Sequence, residues 1–390
     1  MASDSRSGFH SKLQKTGVKI VSFSATDWEV EFKNKESFGT QIGFLFRKSS
    51  DVSSKSGDKI FASFENKDNA RKFLIEKLSA LEEKVISNQC KFKPDIFCNL
   101  MGCYARLRVL PTKNMMDHYI IPTLTETLPN MEVVHLRHVL DYCADLAIYP
   151  SDDIMSDWCQ AARSKGKEWG LSDTYAVLYK MAILDFLRSK EDDSPMRKLG
   201  NGVLKSFAPV YDPLNTDNRV DRSLYLAGLW FNHSFFKQFE IESENHTSSR
   251  KENRFREVLK GSGITVLKDD FMIAGIHHTI DIPVDCDGNI ILCEFDGAFH
   301  FNEDRENGRL IYDGQSRFQT WVVHELMPAN TQLLRIPDIV AQQNPHPLVW
   351  KDIFNRASAK GAGSYIVHAP YDIREVCAPD AWDISFKQPS

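Results

Sequence analysis

Apolar and polar residues alternate in the N-terminal part of the chain, before the pattern becomes helical. The short alternating or apolar stretches are Val18–Phe23, Trp28–Phe32, Ile42–Phe46 and residues 59–64. Alternation with a period of two predicts β-strands. From Asn66 to Val85, apolar residues recur at the spacing of one helix face, which predicts a helix. We therefore predict a small α+β module over residues 17–86.

The middle of the chain contains an internal repeat. At a shift of 39 residues, Tyr104, Leu107 and Pro111 correspond to Cys143, Leu146 and Pro150, and a further unit around Val177 follows at a shift of about 38. Each unit has a helical pattern, a turn that contains proline, and a second helical pattern. A helical hairpin of this size cannot bury its apolar face alone, so such units stack on one another. The pattern predicts α-helical repeats over residues 87–244.

A buried strand is the clearest element of the C-terminal part. The apolar run Ile290–Cys293 lies between the turn sequence Asp287-Gly288-Asn289 and Gly297. An Asp-Gly turn between two apolar runs is typical of a β-hairpin. We therefore expect Ile290–Cys293 to pair with the preceding strand, Ile280–Val284.

Three acidic residues meet at the end of this hairpin. Glu294 and Asp296 are two residues apart and face the same side of their strand, and Asp281 can reach that side from the neighbouring strand. Clustered carboxylates repel one another unless a cation neutralises them, and oxygen ligands suit Mg²⁺ or Mn²⁺. With His300 as a proton donor one short loop later, such a centre could hydrolyse a phosphodiester. The alternative, that these acids are ordinary turn and strand-end residues, stays open.

The residues around this hairpin resemble a known domain. Asp296-Gly297-Ala298-Phe299-His300-Phe301 resembles the signature of the RAP domain, which is itself similar to the very-short-patch-repair branch of the PD-(D/E)XK nuclease fold. Asp313–Arg317 resembles the start of the helix that follows, and Gln332–Pro337 resembles the closing strand. The resemblance covers residues 245–345 and implies a mixed sheet with a metal site, assisted by Glu252 from the first helix. This chain departs from the family's pattern at two places: Asp296 occupies the position of the usual catalytic lysine, and the loop Asn302–Gly308 is acidic.

The helical repeats strengthen this resemblance. Their period is similar to that of octotricopeptide repeats and of the FAST-kinase-domain family, and both families are often followed by a RAP domain in RNA-processing factors of organelles. The same order in this chain implies that single-stranded RNA is a partner, although helical repeats also bind proteins. The candidate RNA contacts are Arg106, Arg108 and Arg137 in the repeats and Arg317 after them.

Composition limits these hypotheses. The formal charge of -5 and the pI near 6.2 do not indicate nucleic-acid binding by the whole surface, so any basic surface must be local. Eight cysteines include no Cys-x-x-Cys pair and are typical of buried thiols in a reducing compartment. No apolar run reaches transmembrane length, and the polar residues 1–16 predict a disordered tail that leaves organelle or host-cell targeting open. His277-His278 lacks further zinc ligands at a suitable spacing.

Together these patterns predict a mainly α protein with a C-terminal α/β domain. The expected order is a tail (1–16), the α+β module (17–86), helical repeats (87–244), a PD-(D/E)XK-like domain (245–345) and an extension packed on the body (346–390). Three functions remain open: a metal-dependent endoribonuclease that uses Glu252, Asp281, Glu294, Asp296 and His300; an RNA-binding factor that does not cut; and a helical scaffold for proteins. The oligomeric state stays open.

Overall fold

The computed structural model describes residues 28, 31–53, 64–188, 194–208, 218–233, 249–267, 271–273, 278–377 and 380–385. The chain divides into two compact units. One comprises Met1–Val109 and Lys113–Thr123, and the other comprises Leu110–Thr112 and Leu124–Ser390. The described residues form a helical region followed by an α/β region, as predicted for the fold class.

The first unit is helical in its described part. Its helices, with the segment that leads into the second unit, are α1 (Phe38–Ser53), α2 (Phe64–Ser87), α3 (Pro94–Leu107), α4 (Lys113–Met115), a π-helical turn (Met116–Ile120) and α5 (Ile121–Thr127). The predicted helix Asn66–Val85 is confirmed. The predicted strands Trp28–Phe32 and Ile42–Phe46 are wrong, because residues 28 and 31–33 are helical and Ile42–Phe46 lies inside α1. The predicted strands at 18–23 and 59–63 fall outside the described residues.

The reason for this error is visible in the burial of α1. Ile42, Leu45, Ser49 and Val52 are buried and follow one another at intervals of three or four residues, which is one face of a helix. Only the first half of this stripe falls within the stretch that alternates. The helix therefore continues beyond the alternating stretch and ends at Ser53.

The helices of the second unit continue the repeat pattern. They are α6 (Val133–Asp145), α7 (Asp152–Ser164), α8 (Leu171–Leu187), α9 (Pro195–Phe207) and α10 (Asn218–Trp230). The helices α3, α6 and α8 begin at Pro94, Val133 and Leu171, which confirms the predicted helix period of 39 and 38 residues. Side-chain caps begin two of the intervening helices: the Ser151 hydroxyl accepts from the Ile154 amide and the Ser194 hydroxyl from the Arg197 amide.

The α/β region is built on one mixed sheet. Its helices are α11 (Arg250–Gly261), α12 (Gly314–Leu326), α13 (Asp338–Gln343) and α14 (Pro347–Lys360). Its strands are β1 (Thr265–Val266), β2 (Met272–Ile273), β3 (His278–Thr279), β4 (Ile282–Cys286), β5 (Asn289–Asp296), β6 (Phe301–Asp304), β7 (Arg309–Tyr312), β8 (Gln332–Pro337), β9 (Gly363–Ala369), β10 (Asp372–Glu375) and β11 (Asp383–Ser385).

Six of these strands form the main sheet in the order β1-β4-β5-β8-β9-β10. β4 and β5 are antiparallel, whereas β8 is parallel to both β5 and β9. The predicted hairpin is confirmed: Asp287 and Gly288 form its two-residue loop, with φ angles of 53° and 86°, which is the geometry of a type I′ turn. A second sheet has the order β11-β7-β6.

The two faces of the main sheet have different partners. One face packs on α11, α13 and α14, with Phe255, Trp350 and Phe354 in its core. The other face carries Glu294, Asp296 and Arg335 and is covered by α12, because Arg335 bonds to Thr320 of that helix. The last part of the chain thus supplies two strands of the sheet, β9 and β10, and a helix, α14, that packs on it.

Aromatic side chains join α12 to the helical repeats within the second unit. The ring centroids of Trp230 and Trp321 lie 4.8 Å apart, and Phe186 lies 5.7 Å from Phe318. Gly314 lies so near α6 that a Cβ atom there would be 2.4 Å from the carbonyl oxygen of Ala144. Within the second unit, α12 is therefore packed directly against α6, α8 and α10.

Candidate functional site

The predicted acidic cluster lies at the carboxyl end of β5. Strand β8 runs parallel beside it, and Glu294 is paired with Arg335 in the register. Glu294, Asp296 and Arg335 consequently project from the same face of the sheet. A guanidinium therefore lies among the carboxylates, at a position for which the sequence predicted a metal ion.

Asp296 is held by two buried side chains. Its carboxylate accepts two hydrogen bonds from Arg335, one of them from Nε at 2.8 Å, and one from the Tyr312 hydroxyl at 2.9 Å. Arg335 also donates from Nη1 to the Thr320 hydroxyl at 2.8 Å. Asp296 is 1% exposed and Arg335 is 2% exposed. This is a bidentate, fully buried ion pair, the geometry in which a guanidinium binds a carboxylate most strongly.

The electrostatics follow from this pair. Burial alone lowers the pKa of Arg335, but the Asp296 carboxylate more than offsets that effect and raises the pKa above its ordinary value. Burial, followed by the charge of Asp296, raises the pKa of Tyr312 well above its ordinary value. The raised pKa values favour a charged Arg335 and a protonated Tyr312 that donates to Asp296.

Glu294 and Asp281 have other partners. The Glu294 carboxylate lies 2.9 Å from Nε2 of His278, and Gln319 of α12 lies 3.1 Å from Nδ1 of the same ring. Asp281 accepts a hydrogen bond of 2.8 Å from the backbone amide of Phe295. This bond ties the start of β4 to the end of β5, so Asp281 closes the hairpin in addition to lying beside Glu294.

His300 lies at the edge of this cluster. Its Nδ1 atom is 2.9 Å from the Ser316 hydroxyl and 3.7 Å from the Asp296 carboxylate. Both contacts use the same ring nitrogen, so His300 cannot relay a proton from Ser316 to Asp296 in the manner of a catalytic triad. The histidine side chain is 40% exposed, which leaves the ring accessible to a ligand.

Glu252 begins the first helix of the α/β region. Its carboxylate accepts from the Ser249 amide at 3.2 Å, and the Ser249 hydroxyl accepts from the Glu252 amide at 3.1 Å, which is a capping box. Arg256 donates to the same Glu252 carboxylate and to the carbonyl oxygen of Asp281. Glu252 thus caps the N-terminal end of α11, and it is linked to the hairpin through Arg256.

We tested whether these residues fit the metal centre that the resemblance implies. In the described parts of the chain, no group of three or more His, Cys, Asp or Glu side chains is arranged to hold a metal ion. Asp296 already meets a permanent cation in Arg335, and Glu294 meets His278. The donor set present here therefore does not fit a three-carboxylate centre for Mg²⁺ or Mn²⁺.

The arginines predicted to contact RNA have protein partners. Arg106 donates to the carbonyl oxygen of Phe46 at 3.0 Å, and Arg137 pairs with Asp173 at 2.6 Å. Arg317 donates to the carbonyl oxygen of Tyr312 and lies 5.6 Å from the ring of Trp382, and burial lowers its pKa to about 10. Arg108 ends α3 in the left-handed region, with φ 51°.

Four residues of the cluster were missed by the sequence analysis: Tyr312, Gln319, His278 and Arg335. Arg335 carried a usable signal, because it is a lone cation in the apolar stretch Gln332–Pro337, whose six residues are all buried. A buried cation requires an anionic partner, and Glu294 and Asp296, which follow the other apolar strand of this region, were candidates for it. Tyr312, Gln319 and His278 carried no comparable signal.

A basic surface lies on the opposite face of the main sheet. The helices α11 and α14 pack against each other there and together carry eight Lys or Arg and three Asp or Glu, a net charge of +5. Arg254 and Lys351 are exposed on these helices. The whole chain carries a net charge of -5, so these two helices are more basic than the chain as a whole. Four of their eight cations are paired with acids: Lys251 with Asp338, Arg256 with Glu252, Lys260 with Glu257 and Arg356 with Asp352.

Comparison of the chain with models of protein families and with curated proteins gives no match.

Proposed function

We propose that this protein binds single-stranded RNA and that its α/β region binds without cutting. The observation that carries this proposal is the buried pair of Asp296 and Arg335. In a metal-dependent nuclease the clustered carboxylates bind the metal ion that activates the attacking water. Arg335 supplies a permanent positive charge from the protein itself and leaves Asp296 without a catalytic role.

The basic surface of α11 and α14 supports RNA as the partner. Its net charge of +5 is the local concentration of cations that phosphate binding requires in an acidic protein. Helical repeats followed by a mixed sheet with a RAP-like sequence add support from the resemblance. The carboxylates of Glu294 and Asp296 on the other face of the sheet are buried and have partners within the protein, so α11 and α14 are the surface on which we place the phosphates.

Metal-dependent cleavage is the second candidate. Asp281 and Glu294 remain neighbours at the end of the hairpin, and His300 remains accessible. If Mg²⁺ or Mn²⁺ displaced His278 from Glu294, these residues would be the ligands and the proton donor. This candidate requires the cluster to rearrange around the metal ion, whereas the binding function requires no such change.

The test measures binding and cleavage in the same samples. Labelled single-stranded RNA and DNA are incubated with the protein, with and without Mg²⁺ or Mn²⁺, beside Glu294→Ala. We expect RNA binding without metal and no metal-dependent cleavage in either protein. Cleavage that is lost in Glu294→Ala would refute the proposal and establish the nuclease.

A matched pair of variants locates the RNA. Arg254→Glu with Lys351→Glu reverses two exposed charges on α11 and α14, and Lys84→Glu with Lys93→Glu makes the same change of net charge in the first unit. We expect the first variant to lose about tenfold in RNA affinity and to show a shallower dependence of affinity on salt, by about one unit of slope per lost phosphate contact. Equal losses in both variants would place the RNA elsewhere.

A further inference from the structure

An apolar pocket opens between three helices of the repeats. It encloses about 390 Å³ between α7, α8 and α9. Trp158, Leu178 and Met181 are buried in its floor, whereas Leu171 at its rim is 62% exposed. The volume lies in the range of ligand pockets.

The wall of the pocket offers little to a polar ligand. The Thr174 hydroxyl donates to the carbonyl oxygen of Gly170, the Ser206 hydroxyl donates to that of Val203, and the Trp169 indole donates to that of Ala162. The protons of these groups are thus already used within the protein. A nucleobase seated here would bury carbonyl oxygens without donors, which is unfavourable. The wall therefore favours an apolar side chain.

The rim of the pocket is basic on two sides. Arg163, which lines the pocket, is followed by Lys165 and Lys167 in the loop after α7. On the other side, α9 carries no acid and two exposed cations, Lys198 and Lys205, whereas its third cation, Arg197, is paired with Asp185 and lies over the ring of Trp230. Of the acids in the same segments, Glu168 is exposed and Asp173 is paired with Arg137 at 2.6 Å.

We propose that this pocket binds an acidic peptide segment of a partner protein. One or two apolar side chains of the peptide fill the pocket, and its Asp and Glu residues lie along the two basic sides of the rim. Apolar anchors in a groove between helices, flanked by complementary charges, are a common way to bind an amphipathic segment. A small monoanion would engage Arg163 alone and would leave the cations of α9 unused.

The experiment is a selection of peptides on the full chain. A displayed library of random peptides of about 16 residues, long enough for four helical turns, is selected on the wild type after depletion on Val203→Phe, which fills the pocket. We expect the enriched peptides to contain a Leu, Phe or Trp anchor among several Asp and Glu residues. Enrichment of neutral or basic peptides, or no enrichment over the depleted variant, would overturn the proposal.

Variants then test each part of the site with one enriched peptide, by fluorescence anisotropy. We expect about a tenfold loss of affinity in Val203→Phe and in Arg163→Glu, because both the anchor and the charge contribute. Val134→Phe enlarges an exposed valine of α6 outside the pocket and should change affinity less than about twofold. Leu171→Glu changes an exposed rim residue and repeats the test without altering the core.

Labelled single-stranded RNA is measured with the same variants. RNA affinity that falls tenfold in Val203→Phe, with no peptide enriched, would mean that the pocket holds a base and would overturn the peptide proposal. Unchanged RNA affinity with loss of peptide binding supports it. Because the RNA surface is assigned to α11 and α14, either proposal can fail while the other holds.

Discussion

The buried pair of Asp296 and Arg335 makes the sharpest prediction about this fold. Arg335→Met keeps an unbranched stem but removes the guanidinium, so the Asp296 carboxylate loses both of its bonds to that residue. Removing one member of a buried ion pair costs about 3–5 kcal/mol, because the remaining charge stays desolvated. Stabilities of whole domains are about 5–15 kcal/mol, so this single change removes a large part of the total.

A double variant and a control variant separate the effect of the buried pair from that of its surroundings. Asp296→Leu with Arg335→Met replaces both charges by apolar groups and should recover more than half of the loss, because no isolated charge remains. Arg356→Met breaks the exposed pair of Arg356 and Asp352, whose side chains are 50% and 48% exposed, and should cost less than about 1 kcal/mol. Urea unfolding followed by circular dichroism gives the free energies of unfolding.

The same samples test the metal hypothesis. If the Asp296 carboxylate is paired with Arg335 and does not bind a metal ion, then Mg²⁺ or Mn²⁺ should leave the unfolding midpoint of the wild type unchanged. Only a ligand that binds the folded state stabilises it. Our reasoning would be refuted by Arg335→Met costing no more than Arg356→Met. It would also be refuted by a metal-dependent stabilisation of the wild type that Asp296→Asn abolishes.

Two further predictions concern packing and pH. Gly314→Ala should lower stability by about 1–3 kcal/mol, because the new Cβ atom would lie 2.4 Å from the carbonyl oxygen of Ala144. A Cβ atom at Gly202 in α9 would meet nothing within 4 Å, so Gly202→Ala should not destabilise the protein. Thermal unfolding compares the two variants. His368 lies 2.8 Å from the carbonyl oxygen of Ala381 through Nε2, and its buried Nδ1 has no hydrogen-bond partner in the described chain. Burial, followed by the charge of Arg374, lowers the pKa of His368. The contribution of His368 to stability is therefore complete above the unfolded pKa of about 6.5 and decreases as pH falls below that value. Wild-type unfolding midpoints at pH 7.5 and 5.5 should therefore differ more than those of His368→Gln, and equal differences would contradict this assignment.

The parts of the fold that sequence predicted well are those set by local chemistry. The hairpin follows from Asp287 and Gly288, which accept the positive φ angles that its two-residue loop requires. The helix period in the repeats follows from apolar spacing and from the prolines that end each unit. In the first unit the same kind of reasoning failed, because Ile42–Phe46 is too short to distinguish alternation from a helical stripe.

The candidate site was predicted only in part, for a physical reason. Placing Glu294 and Asp296 on one face required only the period of a strand. The partner of Asp296, however, is Arg335, which is 39 residues further along the chain and arrives through the parallel pairing of β5 with β8. Parallel pairing depends on the crossover and on tertiary packing, which no local pattern encodes. The acids alone therefore suggested a metal ion at a position where the fold supplies an arginine.

The aromatic contact between the repeats and α12 sets a limit on how the protein can be divided. Trp230 and Phe186 cover Trp321 and Phe318, so a fragment that starts near residue 245 would expose a row of aromatic rings to water. Such a fragment would aggregate or bind non-specifically, and its behaviour would say little about RNA. A cut or a domain exchange at this point would separate two halves of one aromatic core.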